Sequence, residues 1–176
     1  MRCEPFADLL LRLLENSGNE QIKAVRTFTE SGFHKQVGVE VTTLDGFTTY
    51  IQIVRTSAPG GDRDNWADSN EHKATSAPRT FKPLQADVKA GVKSAAPKLK
   101  IRDMEAAIKA LLVAADHPDF GDVQTYEEAE LATSKPHGIK VTCADGSNLF
   151  AMFYGVTPPG ATKPSHPEYQ MPKEYL

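Results

Sequence analysis

Asp45 and Asp145, one hundred residues apart, are the residues whose type and spacing come closest to a catalytic pattern. Two carboxylates at short separation can perform acid–base chemistry or hydrolyse a glycosidic bond. Each aspartate, however, precedes a glycine in a predicted hairpin turn, where aspartate tolerates left-handed backbone geometry and hydrogen-bonds its own backbone. We therefore interpret the pair as turn residues rather than as catalytic groups.

The histidines and candidate nucleophiles form no recognisable catalytic or metal-binding motif. The five histidines lack the HxH, HxxxH and HExxH spacings that place two imidazoles beside one metal ion, so we expect them to lie in solvated loops. No glycine-rich phosphate-binding motif occurs, and Ser17, Ser31 and Cys143 lack a GxSxG turn or an adjacent histidine. We expect no metal and no cofactor. An enzyme would need a site that forms only in three dimensions.

The acidic segment 61–71 contains the only tryptophan, Trp66. Its oxygen ligands suggest calcium, but Trp66, Ala67 and Lys73 occupy the fifth, sixth and twelfth positions counted from Asp62, where a calcium loop needs an oxygen ligand, a glycine and a glutamate. A large amphipathic ring in a polar loop either packs onto its own domain or anchors a partner. Trp66 is therefore a candidate partner-binding residue, with packing onto its own domain as the alternative.

An internal repeat indicates the elements that must position these residues. The segment 38–46, GVEVTTLDG, recurs as GIKVTCADG at 138–146, and the Pro-Gly pair at 59–60 recurs at 159–160. The competing explanation is that the two segments share residues that are common in β-hairpins and that their spacing is a coincidence. Because helix, hairpin and Pro-Gly pair follow one another in the same order in both halves, we favour a duplication.

Hydrophobic periodicity predicts the same elements twice. In the first half it predicts a helix over 5–16, a strand over 22–30, and a hairpin of strands 37–43 and 48–55 whose two turn residues, Asp45 and Gly46, both take positive φ. In the second half it predicts a helix that begins at Ile101 and is ended by His117-Pro118-Asp119, followed by strands over 123–128, 138–143 and 148–154.

The predicted fold is α+β, with two α-β-β-β repeats related by a pseudo-twofold axis and a mainly antiparallel sheet. Three strands and one helix leave exposed edges and a half-covered sheet, so we expect the repeats to join in one larger sheet or in a two-layer pseudo-dimer. The predicted divisions are a first repeat over 1–56, a linker over 57–100, a second repeat over 101–156, and a proline-rich tail over 157–176.

The linker is rich in proline, alanine and lysine, with one short helix predicted over 84–95. Between residues 73 and 100 the net charge is +6, against −4 before this stretch and −5 after it. A basic connector can dock on its own acidic lobes, remain solvated, or contact nucleic acid or an acidic protein. The residues that would contact nucleic acid are Lys82, Lys89, Lys93, Lys98 and Lys100.

The last strands of the two halves differ in polarity. Phe150, Met152 and Tyr154 form a more apolar face than their counterparts Tyr50, Gln52 and Val54, and the opposite face is apolar in both strands. A strand that is apolar on both faces is covered on both faces. The cover is expected to be the other repeat, or else an external partner or a homodimer seam, so Phe150, Met152 and Tyr154 are candidate partner-binding residues.

Composition limits the class of protein. A net charge of −3 with 40% hydrophobic residues is typical of a globular protein and argues against bulk attraction to nucleic acid or an anionic membrane. Asp8, Arg12 and Glu15 interrupt the leucine-rich start, which favours an amphipathic helix over a signal peptide. Cys3 and Cys143 lack metal-ligand spacing, so we expect free thiols and a cytoplasmic protein.

These patterns predict a non-enzymatic binding or adaptor protein that engages a protein partner and no membrane. A nucleic-acid-binding accessory protein that uses the basic linker is the first alternative. An enzyme with its site at the cleft between the repeats is the second alternative.

Overall fold

The computed structural model of this chain describes residues 1–58, 100–131, 133 and 135–161. Within these residues the chain forms a mixed α+β fold of three helices and six strands. Their bounds, in chain order, are α1 Cys3–Glu15, β1 Ile22–Thr27, α2 Phe28–Ser31, β2 Gly38–Thr43, β3 Thr48–Thr56, α3 Ile101–Ala114, β4 Phe120–Thr125, β5 Gly138–Cys143 and β6 Asn148–Thr157.

The two long helices form because their apolar residues recur at helical spacing and cover one face of a sheet. In α1 this stripe includes Phe6 and Leu10, and in α3 it includes Met104 and Ile108; all four side chains are buried. Pro5 lies in the first turn of α1, where a residue without a backbone N–H is tolerated. The predicted helices over 5–16 and from Ile101 are confirmed.

All six strands belong to one antiparallel sheet in the order β1-β2-β3-β6-β5-β4. The last strand of each half, β3 and β6, pair with each other at its centre, and β1 and β4 lie at its edges. Of the two arrangements expected from the sequence, one larger sheet is therefore the one observed.

Alternation along the strands gives the sheet two different faces. The inner face packs on α1 and α3 and forms the main hydrophobic core together with their buried side chains. The strand residues of this core include Val39, Val41, Ile51, Ile53, Ile139, Val141, Leu149, Ala151 and Phe153. The intervening residues of the same strands point to the outer face, on the side away from the two long helices.

The predicted strand over 22–30 ends early, at Thr27, because a helix begins there. The Thr27 hydroxyl accepts a hydrogen bond from the Glu30 N–H at 3.2 Å, and the Glu30 carboxylate accepts one from the Thr27 N–H at 2.8 Å. This reciprocal capping box starts α2. The strand predicted over 123–128 ends at Thr125 in a similar way, since Thr125 and Glu128 form the same two bonds.

Both predicted hairpins are confirmed, but the prediction that both turn residues have positive φ is wrong. Gly46 has a φ of 87° and Gly146 one of 80°, and neither Asp45 nor Asp145 is left-handed. In the first hairpin the Gly46 N–H bonds to the Thr43 carbonyl at 3.0 Å. A three-residue loop with a left-handed glycine last satisfies the strand twist without a left-handed aspartate.

Several sequence predictions lie outside the described residues. These are Trp66, the helix over 84–95, and the four lysines Lys82, Lys89, Lys93 and Lys98. Lys100 is described, and it is an exposed residue immediately before α3.

Candidate functional site

Four side chains at the centre of the outer face form a partly exposed surface, which we call the central strip. Gln52 lies opposite Met152, and Val54 lies opposite Phe150, across the β3–β6 pair. Val54 is 36% exposed and the other three are half-buried. The strip therefore presents apolar side chains to solvent at the centre of the sheet rather than at a loop tip.

The connection between β1 and β2, residues 28–37, walls one side of the strip with aromatic rings. Phe33 stacks on Tyr50 with ring centroids 4.5 Å apart, and Phe28 lies 4.6 Å from Phe33. Gly38 makes this approach possible, because a Cβ at this position would lie 2.4 Å from a Phe28 ring carbon. Together with Tyr154 these rings form a small second core on the outer face.

The connection between β4 and β5, residues 126–137, walls the other side of the strip. Residues 132 and 134 of this connection lie outside the described part of the chain. Tyr126 covers Gly138 so closely that a Cβ on this glycine would lie 2.5 Å from the ring. The same ring contacts Phe150 of the strip edge-on, at 6.2 Å between centroids. Burial and the nearby Glu105 charge raise the pKa of Tyr126, so its hydroxyl stays neutral.

Tyr154 lies where these two connections meet. It is the extra residue of a β-bulge, since the β3–β6 register passes from Tyr50 opposite Gly155 to Ile51 opposite Phe153. The Lys35 ammonium lies 4.9 Å from the Tyr154 ring centroid, and the Lys135 ammonium lies 5.0 Å from it. The ring thus receives one cation from each connection, a favourable arrangement because its face is electronegative.

A cleft of about 750 Å³ adjoins the strip and shares Gln52 and Val54 with it. Its other lining residues are 2–4 at the start of α1, residues 34–37, and Ile53 and Arg55 of β3. The charged residues lining it are Arg2, Glu4, Lys35 and Arg55, so positive charge exceeds negative. The Arg55 guanidinium also reaches Asp145 at 3.1 Å.

Cys3 lines the same cleft as a free thiol. Burial, and secondarily the Glu4 charge, raise the pKa of this thiol above its ordinary value, while the Arg55 charge and a hydrogen bond from the Arg55 backbone oppose the shift. The thiol form of Cys3 is therefore favoured over the nucleophilic thiolate.

A buried polar pair lies beneath the second connection. The Glu105 carboxylate of α3 accepts a hydrogen bond from the Gly138 N–H at 2.8 Å, and its other oxygen lies 3.4 Å from Nδ1 of His137. Both residues are less than a tenth exposed, so the expectation that all five histidines lie in solvated loops is wrong for His137. Because the pair fixes the start of β5 beneath the Tyr126 ring, it positions the wall of the strip.

The structure places the three candidate partner-binding residues of β6 in two different environments. Phe150 and Met152 lie on the central strip, and Tyr154 forms the buried platform beside it. Local patterns gave no signal for Lys35 and Lys135, which come from irregular connections. Glu105 did leave a signal, since it interrupts the apolar stripe of α3.

Other findings limit the kinds of site in the described residues. Across residues 1–58, 100–131, 133 and 135–161, no cluster of three or more His, Cys, Asp or Glu side chains could hold a metal ion. In the same residues no helix is long and apolar enough to cross a membrane. No protein-family model, curated protein or solved structure matches this chain.

Proposed function

We propose that this chain is a non-enzymatic binding protein that engages another protein through the central strip. The partly exposed apolar side chains of Val54, Phe150 and Met152 at the centre of the sheet carry this proposal. Aromatic residues and methionine are enriched in protein interfaces, where a polar and charged rim surrounds an apolar centre. Lys35 and Lys135 supply such a rim here.

The binding surface is part of a duplicated scaffold, in which two α-β-β-β repeats are related by a pseudo-twofold axis through the Gln52–Met152 pair. Corresponding contacts in the two halves support this duplication. Phe28 covers Gly38 as Tyr126 covers Gly138, and each ring follows a threonine that bonds to a glutamate three residues later.

Strand register supports the same duplication. Gly38 pairs with Gln52 and Gly138 pairs with Met152, and the next pairs, Val39 with Ile51 and Ile139 with Ala151, also correspond. The offset between the halves is 100 residues in these hairpins and 98 residues in the preceding helix and strand, so the second connection is two residues longer.

Some of the differences between the repeats lie at the outer face and beneath it. Gln52 corresponds to Met152, and Tyr50 corresponds to Phe150. On the same basis, Glu105 and His137 occupy positions where the first repeat has Ala7 and Val37. The duplication provides a stable sheet, and these substitutions give its outer face one apolar side that a partner can recognise.

The working compartment proposed for the protein is the cytoplasm. Cys3 and Cys143 are both free thiols in the structure. Disulfides persist in oxidising compartments and are rare in the cytosol, so two unpaired cysteines accord with a reducing environment.

Aspartate substitutions at two exposed valines test the proposed function. Val54 lies on the strip at 36% exposure, and Val113 lies on α3 at 56% exposure, so Val54→Asp and Val113→Asp add the same charge on opposite faces. The purified wild-type, Val54→Asp and Val113→Asp chains are immobilised, and the proteins that each captures are identified. Each captured protein is then purified and titrated against all three chains.

The proposal predicts a direct partner whose affinity falls about tenfold or more with Val54→Asp and stays unchanged with Val113→Asp. Circular dichroism must show equal folding of the two variants. If every direct partner binds Val54→Asp as tightly as the wild type, the strip is not the binding surface. If the chain pairs only with itself through the strip, the partner is a second copy and the adaptor function is wrong.

A further inference from the structure

Two like charges converge on one ring at the outer face. The Lys35 and Lys135 ammonium groups lie 4.9 Å and 5.0 Å from the Tyr154 centroid, so they are no farther apart than the sum of these distances. Within the described residues neither ammonium forms an ion pair with a carboxylate. The Tyr154 ring offsets part of their repulsion, and an anion between them would offset more.

Further positive charge surrounds this point although the whole chain carries a net charge of −3. Lys140 lies opposite Phe150 across the β5–β6 pair, and the cleft beside the strip is lined by Arg2 and Arg55. Carboxylates on this side include Glu4, which lines the cleft, Glu40, which lies opposite Arg26 across the β1–β2 pair, and the exposed Glu30, Glu127 and Glu130 of the two connections. The central strip is therefore an apolar surface whose basic border consists of Lys35, Lys135 and Lys140.

We propose that the central strip and its lysines bind an acidic, extended segment of a partner protein. A carboxylate of the segment is received between Lys35 and Lys135, and apolar side chains of the same segment pack on Val54, Phe150 and Met152. This inference rests on the proposed function and adds the chemistry of the partner.

An extended segment fits because its side chains alternate in direction. A chain that alternates acidic and apolar residues can place its apolar side on the strip while its carboxylates turn toward the basic border. Charge-assisted hydrogen bonds from ammonium to carboxylate are the stronger kind of hydrogen bond and give orientation as well as affinity. Both lysines are half-buried, so solvent screens them less than it screens fully exposed charges.

The test titrates the full chain with a fluorescein-labelled peptide of alternating glutamate and leucine, followed by fluorescence anisotropy. A second peptide carries glutamine in place of every glutamate. The protein variants are the double substitution Lys35→Gln with Lys135→Gln and a control, Lys23→Gln with Arg102→Gln. The control removes the same charge from exposed positions outside the strip and its border.

We expect the glutamate peptide to bind the wild type and the control alike, about tenfold or more tighter than the glutamine peptide. The Lys35/Lys135 variant should bind the glutamate peptide about tenfold or more weakly than the wild type does. Its affinity for this peptide should also depend much less on salt concentration. Equal binding of the glutamate peptide by this variant and the control would overturn the acidic-segment proposal.

The failure of this inference is distinguishable from failure of the proposed function. If both peptides bind equally and Val54→Asp abolishes both, the strip is a binding surface without acidic preference. If Val54→Asp changes the binding of neither peptide, the strip is not the binding surface. In another outcome, the wild type binds single-stranded DNA more tightly than the glutamate peptide. If the Lys35/Lys135 variant loses that DNA binding, these lysines bind nucleic acid and the inference is overturned.

Discussion

Replacing Glu105 with alanine should cost this protein a large part of its stability. The Glu105 carboxylate is buried and accepts a hydrogen bond from the Gly138 N–H at 2.8 Å. The substitution leaves that N–H buried without this acceptor, which costs about 1–3 kcal/mol, and also removes the contact to Nδ1 of His137. We expect the free energy of unfolding to fall by about 2–3 kcal/mol.

The melting temperature should follow this loss. For a chain of this size each kcal/mol corresponds to about 2–4 °C, so Glu105→Ala should lower the melting temperature by about 4–12 °C. Urea denaturation followed by circular dichroism measures the free energy, and amide hydrogen exchange at Gly138 reports the lost bond directly. In Glu105→Ala the Gly138 amide should exchange faster than the other amides of β5.

Glu105→Gln provides the matched control. Its amide oxygen has nearly the same shape and still accepts from the Gly138 N–H, so it should lose less than half as much stability as Glu105→Ala. Asp103→Ala, at an exposed position of the same helix, should cost no more than about 1 kcal/mol. If Glu105→Ala unfolds within about 0.5 kcal/mol of the wild type, the buried acceptor does not hold β5 in place. If glutamine costs as much as alanine, the carboxylate charge matters rather than the hydrogen bond.

Three further predictions concern other parts of the scaffold. Gly138→Ala should cost about 1–3 kcal/mol in denaturant titrations because its Cβ would meet the Tyr126 ring at 2.5 Å, whereas Gly121→Ala, with its nearest atom at 3.4 Å, should be nearly neutral; equal losses would contradict the close packing. Thr27→Ala should cost about 1 kcal/mol through loss of the α2 cap, a value that an unchanged unfolding midpoint would refute. Burial raises the pKa of Asp145, but hydrogen bonds from Ser147, the positive charge of the N-terminus and a hydrogen bond from the Arg55 side chain outweigh it and leave the pKa below its ordinary value. Because the pKa is lower in the folded state, the ionised carboxylate stabilises the protein above the unfolded-state pKa, and this stabilisation is lost as pH falls through the folded-state pKa. Below about pH 4 the difference in stability between the wild type and Asp145→Asn should therefore shrink. A constant difference between about pH 3 and pH 7 would argue against this account.

Local signals predicted most of the scaffold. Asp-Gly turns between alternating strands gave both hairpins, and apolar spacing gave both long helices. The error at the first strand arose because residues 28–30 continue a β-favouring composition, while the Thr27–Glu30 capping box determines the outcome. A threonine followed three residues later by glutamate was visible in the sequence, and it marks the end of β1 as well as that of β4.

The candidate site was only partly predictable. The contrast between Gln52 and Met152 drew attention to β6, which carries two residues of the central strip, since polarity differences between two similar segments can be compared position by position. The convergence of Lys35 and Lys135 on Tyr154 depends on how β3 pairs with β6, on the bulge at Tyr154 and on two irregular connections. No local periodicity encodes those three features, so tertiary structure alone brings the lysines together.

Mapping the bound peptide on the protein tests the central claim most directly. Amide chemical shifts of the full chain are recorded by NMR during titration with the glutamate–leucine peptide. We predict that the largest changes fall on residues 52–54 and 150–154 and on the amides of Lys35 and Lys135, with α1 and α3 unchanged beyond their first turns. Changes concentrated on α3 around Val113, or spread evenly over the chain, would contradict the assignment of the binding surface to the outer face of the sheet.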